Sequence, residues 1–349
     1  MDLVVVRTCE GHRLVGTGPI TEVANACLVH LHARGYSPGT LRGYAFDLLN
    51  FSRFLNERSI VMLDVGPSDL FDYLDWQQRA KSSKGTKVVR LDDRRGPAPA
   101  TMNRRIAAVR GLFEFTVICG LREKNPVPAP RRAGGVRARP RGLLGHVGTS
   151  RPRSDGRLVR QPRRLPESLD PAEVGAFLAD LETHRDRAMA LAMLLGGLRS
   201  AEVRSLRLDD VDMGMRQVRV LGKGTKERVV PIDRAFFAEC AAYLHAERPA
   251  GLATPECFVV LRGPTTGHPL SEAGLRRIFR THRARSGATR VRPHRLRHTF
   301  GTELAAAGID LLTLRELMGH ASPETTAAYV HLSPAALAVE YARAREAAR

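Results

Sequence analysis

Gln217-Val218-Arg219-Val220-Leu221, Gly222-Lys223-Gly224-Thr225-Lys226, Glu227-Arg228-Val229-Val230-Pro231-Ile232 is the stretch that sets the fold class. Apolar and polar residues alternate on both sides of a glycine turn, as in two half-buried strands joined into a hairpin with a basic tip. Everything periodic around it reads as helix. Upstream, Leu169-Asp170-Pro171 starts one helix, a second runs from about Arg185 through Ala188, Leu191, Leu194 and Leu195 toward Gly196-Gly197, and a short third covers about Ser200–Leu206. Downstream, helices are predicted at Phe236–Glu247, Ser271–Ser286, His294–Ala307, Leu311–Met318, Pro323–Tyr329 and Pro334–Ala348. One hairpin among so many helices predicts, for residues 166–349, a mainly α domain with a small antiparallel β-sheet.

The first half is predicted to be all helical. Ser37-Pro38 opens a helix to about Arg58 whose apolar Leu41, Tyr44, Leu48, Phe51 and Leu55 recur at three- and four-residue steps. Helices at about Thr21–Arg34, Asp69–Ala80 and Thr101–Cys119 complete a unit over 21–125, preceded by an N-terminal segment, 1–20, and interrupted by a polar loop at Lys81–Pro99. Between the halves, residues 126–165 lose all apolar periodicity. Prolines and glycines recur there, and eleven arginines face one acid, Asp155, so about +10 of the chain's formal +19 falls in this linker. An arginine tract of this kind is expected to lie along DNA phosphates, drawn by counterion release; the alternative is a solvated spacer.

The 349 residues suit two domains, and 43% hydrophobic residues suffice for a core in each. With 55 Lys+Arg against 36 Asp+Glu, the partner should be a polyanion. No apolar run approaches the roughly 20 residues of a spanning helix, and Met1–Ile20 lacks the pattern of a signal peptide, so a cytoplasmic, nucleoid-associated protein without a membrane partner is expected. Cys9, Cys27, Cys119, Cys240 and Cys257 are odd in number and form no CxxC pair, which argues against both a disulfide framework and a zinc site.

Three clusters carry polar chemistry. In Gly197-Leu198-Arg199-Ser200-Ala201-Glu202, the i,i+3 spacing puts Arg199 and Glu202 on one helical face, which by itself could be a surface ion pair. In His294-Arg295-Leu296-Arg297-His298-Thr299, the same spacing sets His294 beside Arg297 with Leu296 turned inward. In Leu317-Met318-Gly319-His320-Ala321-Ser322-Pro323-Glu324, Gly319 ends one helix and Ser322-Pro323 caps the next, fixing His320 in a tight turn and carrying Tyr329 at the end of a short helix. Two arginines, two histidines, a lysine and a tyrosine are the set that metal-free phosphoryl transfer needs. Guanidiniums clamp the non-bridging oxygens while an acid and a base handle two protons. No carboxylate cluster, P-loop or zinc spacing is present, so neither a metal nor another cofactor is expected.

The strings GLRSAEV, GKGTKER, HRLRHTF and LMGHAS, followed nine residues after His320 by Tyr329, resemble the tyrosine recombinase (phage integrase) family in its simpler Xer-like or mobile-element members. The resemblance covers about Leu169 to Leu332. It implies a catalytic tyrosine-recombinase domain over 166–349 and, by helix count and position alone, a helical core-binding domain over 21–125. Tyr329 would then be the nucleophile, forming a 3′-phosphotyrosyl bond. Arg199 and Arg297 would stabilise the pentacoordinate phosphate, and Lys223 would protonate the departing 5′-oxygen. His294 and His320 would position the phosphate and move protons, His294 being favoured over His320 as the general base, and Glu202 would support the site.

The implied activity is site-specific cleavage and rejoining of double-stranded DNA by a tetramer on paired sites. About twenty residues before the first helix are too few for an arm-binding domain, and the arginine-rich linker points to integration, excision or transposition of a mobile element. The alternatives are Xer-like resolution of chromosome or plasmid multimers, a type IB topoisomerase, and a non-catalytic DNA-binding accessory protein.

Overall fold

The computed structural model describes residues 3–8, 11–79, 96–128, 158–159, 168–222 and 227–320, with the single positions 326, 342, 345 and 346 beyond them. The chain divides into two compact units, Met1–Arg163 and Arg164–Arg349.

Among the described residues, the first unit holds four α-helices, α1 (Thr21–Ala33), α2 (Pro38–Glu57), α3 (Pro67–Arg79) and α4 (Pro99–Ile118). α2 begins where the sequence reading places it: Pro38 presets the helical φ, and the Ser37 hydroxyl accepts from the Thr40 N–H at 3.2 Å. α3 and α4 each start two residues earlier than expected, and both starts are prolines, Pro67 and Pro99. A proline at the first helical position loses no hydrogen bond, because that N–H is unpaired in any helix. Phe51 and Phe54 of α2, Tyr73 of α3 and Phe113 of α4 are all fully buried, and rings of Phe51 and Tyr73 meet edge to face at 5.0 Å. Burying each such side chain contributes roughly 1.5–3 kcal/mol, which is why α2 sits at the centre.

The N-terminal segment is not featureless. Strands β1 (Val4–Thr8) and β2 (Gly11–Val15) form an antiparallel hairpin in which Val4 faces Val15 and Thr8 faces Gly11. The Asn25 side chain of α1 pairs with both the N–H and C=O of Leu14, at 2.8 and 2.9 Å, and so clips β2 to the bundle. The expected linker also makes contacts at its two ends. Val127 is buried, and Leu158 and Val159 pack on the first core, with Val159 bonded through both backbone groups to the Asn103 side chain of α4.

The second unit holds α5 (Pro171–Asp180), α6 (His184–Leu195), α7 (Ser200–Ser205), a three-stranded antiparallel sheet, and α8 (Arg234–Ala246), α9 (Glu272–Arg285), α10 (Pro293–Ala306) and α11 (Leu311–Met318). The sheet runs β3 (Val211–Asp212), β4 (Gln217–Leu221), β5 (Glu227–Pro231), with Val218 opposite Val230 and Val220 opposite Arg228. β3, two residues long, is too short to show an alternation in the sequence. Val218, Val220 and Val230 point into the core, as the alternation predicts. α6 is the buried helix of this unit, with Ala188, Met189, Ala190, Ala192 and Met193 inaccessible and α8 and α10 packed against it. At its end Gly197 takes a left-handed φ of +59°, and a Cβ there would lie 2.4 Å from the Phe300 ring of α10. Only glycine fits this turn, and the turn delivers Arg199 to the start of α7. The hairpin tip, 223–226, the helices expected at 323–329 and 334–348, and residues 129–157 and 160–165 of the linker lie outside the described residues, apart from the single positions named above.

Candidate active site

Three side chains converge on the last turn of α11. A helix end leaves its final carbonyls without partners inside the helix, and here three guanidiniums supply them. Arg228 Nε donates to the Leu317 carbonyl at 3.0 Å, Arg297 Nη2 to the Met318 carbonyl at 2.5 Å, and Arg199 Nη2 to the Gly319 carbonyl at 2.7 Å. Arg297 Nη1 also bonds the Gly197 carbonyl, joining the α6 turn to the same network. Gly319 adopts φ +59° and ends α11, and His320 follows it directly, with its N–H returning to the Arg315 carbonyl at 3.1 Å.

Glu202 sits between two of these arginines. Its Oε2 accepts from the Arg199 backbone N–H at 2.8 Å and from Arg228 Nη2 at 2.9 Å. Its Oε1 accepts from Arg199 Nη1 at 2.7 Å and Arg228 Nη1 at 2.9 Å. The i,i+3 pair read from the sequence therefore forms, but not as a surface pair: the Glu202 side chain is 4% exposed and Arg199 36%. Burial pushes the Glu202 carboxyl up, and the hydrogen bonds from Arg228 and from the Arg199 backbone outweigh it, holding the group at about 2.

His320 Nδ1 lies 2.9 Å from the hydroxyl of buried Thr326. Burial first, then the Arg297 and Arg199 charges with His298 and Arg228 behind them, push its pKa down to about 4. His294 occupies the first turn of α10 after Pro293, where burial and the charges of Arg292 and Arg295 lower its pKa. Its ring stands edge-on to that of His298 one turn later, with centroids 6.2 Å apart. Leu296 is fully buried, as expected, and Arg297 is 8% exposed. A neutral imidazole is the form that can accept a proton.

The structure thus joins Arg199, Glu202, Arg297 and the turn bearing His320 in one network, and places His294 on the same helix as Arg297. Lys223 and Tyr329 lie outside the described residues. Among the described residues no group of three or more His, Cys, Asp or Glu side chains is placed to hold a metal ion, and no helix is long and apolar enough to cross a membrane. The sequence reading gave no role to Arg228. Its signal was the strand alternation, which sets Arg228 on the inward face with Val230, where an arginine has to be paired.

Comparison with known proteins agrees with this arrangement. Residues 167–336 match the phage integrase family, and residues 28–118 match the phage integrase N-terminal SAM-like domain. The tyrosine recombinase XerD of Mycobacterium tuberculosis is 32% identical over 334 residues, covering 90% of this chain and 94% of the relative. Among solved structures, the XerH site-specific recombinase bound to a palindromic difH substrate superimposes with a TM-score of 0.62 at 20% identity, over 91% of this chain and 83% of that one. The Tn1549 transposon integrase in complex with transposon right end DNA does so with a TM-score of 0.61 at 18% identity, over 93% and 99%. The fold is the one these two solved structures share. The chain belongs to the tyrosine recombinase, or phage integrase, family and is a tyrosine site-specific recombinase.

Proposed function

We propose that the protein cleaves and rejoins double-stranded DNA through a 3′-phosphotyrosyl intermediate on Tyr329. The Tyr329 oxygen attacks the scissile phosphorus and gives its proton to His294, and the bond to the 5′-oxygen breaks as Lys223 protonates the leaving group. Bond energy is kept in the phosphotyrosine, so the reverse attack by a 5′-hydroxyl reseals a strand without a nucleotide. Arg199 and Arg297 clamp the non-bridging oxygens, whose charge grows in the transition state. Glu202 holds Arg199 in place, and His320 adds a donor at the phosphate. The observation that carries this reading is the arginine network on the end of α11, which holds the Arg199 and Arg297 guanidiniums on the turn that leads into His320.

The partner is DNA, as it is for the XerH recombinase and the Tn1549 integrase in their complexes. The protein acts as a tetramer on paired sites, in the cytoplasm on the nucleoid, and its biological setting is a mobile element. The arginine-rich stretch at 126–165 supports that setting. The near full-length likeness to XerD supports a second, resolution of chromosome or plasmid multimers. The test uses duplexes tiled from the DNA flanking the gene. A denaturation-resistant protein–DNA adduct is expected on some of them and should vanish with Tyr329→Phe. An adduct that survives would move the nucleophile to Tyr341, and relaxation of any supercoiled plasmid would indicate a topoisomerase. Binding without an adduct would mark an accessory protein.

A further inference from the structure

Arg228 is 10% exposed in its side chain and spends its guanidinium on three acceptors from two other elements. These are both Glu202 oxygens in α7, at 2.9 Å each, and the Leu317 carbonyl in α11, at 3.0 Å. Its backbone is fixed too, because in the β4–β5 ladder it stands opposite Val220, three residues before Lys223. Gly319 is shaped around it: a Cβ at Gly319 would fall 2.8 Å from Arg228 Nη1. One planar fork therefore touches the carboxylate that orients Arg199, the turn that carries His320, and the base of the hairpin that carries Lys223. A lysine in its place keeps the charge but cannot make two parallel bonds to a carboxylate and a third to a carbonyl.

We propose that Arg228 is a positioning residue for strand transfer, locking the β4–β5 hairpin, Glu202 with Arg199, and the His320 turn into a single register. The proposal rests on the reading of this site as the strand-transfer centre. Arg228 acts through Glu202, Arg199 and the α11 turn, and its contribution is to the chemical step.

The experiment uses the full chain with Arg228→Lys and Arg228→Met, and Arg219→Met as control. Arg219 lies on the outward face of the same sheet, paired with Asp210 at 3.0 Å. Adduct formation is timed at saturating protein on a flanking-DNA duplex that wild type cleaves, duplex affinity is measured separately, and the His320 ring is titrated by NMR in the free protein. Arg228→Lys is expected to slow the single-turnover rate by roughly ten- to a hundredfold, the scale of a small misplacement of catalytic groups, with duplex affinity and the control unchanged. Arg228→Met should move the His320 midpoint upward. A wild-type rate in Arg228→Lys, or a loss confined to affinity, overturns the proposal. If wild type itself cleaves none of the duplexes, the strand-transfer reading fails instead, and the tether is judged on the titration: an unmoved His320 in Arg228→Met overturns it.

Discussion

At the scale of single residues, the site is an electrostatic balance tipped toward positive charge. Glu202 neutralises part of the arginine cluster, and the pKa values of the nearby imidazoles are lowered. His320 is held at about 4 by burial and by Arg297, Arg199, His298 and Arg228, while His294 and His298 are also lowered, each chiefly by burial. An imidazole whose pKa is lower folded than unfolded stabilises the fold fully above its unfolded value near 6.5, and that contribution is lost as pH falls through the folded value. We therefore expect the melting temperature to fall as pH is taken from 6.5 toward 4, and the fall to be shallower in His320→Asn, which keeps a polar group toward Thr326. A His320→Asn profile parallel to wild type would mean that His320 titrates normally. In the sequence Arg199, Arg297 and His320 were legible because their motifs are contiguous strings. Arg228 was not, since its partners are 26 and 89 residues away in the chain and nothing local marks them.

At the scale of elements, start signals proved more readable than short strands. Ser37-Pro38 and Asp170-Pro171 each cap a helix found where the sequence places it, since the capping hydrogen bond is local. The β1–β2 hairpin escaped because Val4-Val5-Val6 does not alternate and the sequence between the strands, Cys9-Glu10, is not one of the glycine pairs that mark a hairpin. The α6–α7 turn shows how an element end becomes a functional part. Gly197 must be left-handed and must lie against Phe300, and its carbonyl receives Arg297. Gly197→Ala should cost about 2–5 kcal/mol, combining the left-handed penalty with overpacking. Gly175→Ala, inside α5 with nothing within 4 Å of its Cβ, should stabilise by about 1 kcal/mol. Urea unfolding of the two variants checks both signs, and a Gly197→Ala loss below that of an ordinary surface change would refute the packing argument.

At the scale of the whole molecule, charge is distributed unevenly between folded units and the stretch that joins them. About +10 of the net +19 lies in residues 126–165, where eleven arginines stand against Asp155. The other +9 is spread over the rest of the chain, where arginines such as Arg185, Arg187 and Arg285 are already paired to Asp186, Glu239 and Asp180. If the tract lies along phosphates, each arginine that displaces a counterion adds about 0.9 to the slope of log affinity against log salt on duplex DNA. Replacing the arginines at 131, 132, 137, 139 and 141 with glutamine should then flatten the slope by several units, weaken binding most at low salt, and leave adduct formation at saturating protein intact. A slope equal to wild type would make the tract a spacer, and with it would go the main sequence argument for a mobile element over multimer resolution. A steepened dependence of adduct rate on those glutamines at saturation would instead place the tract within the cleavage complex itself.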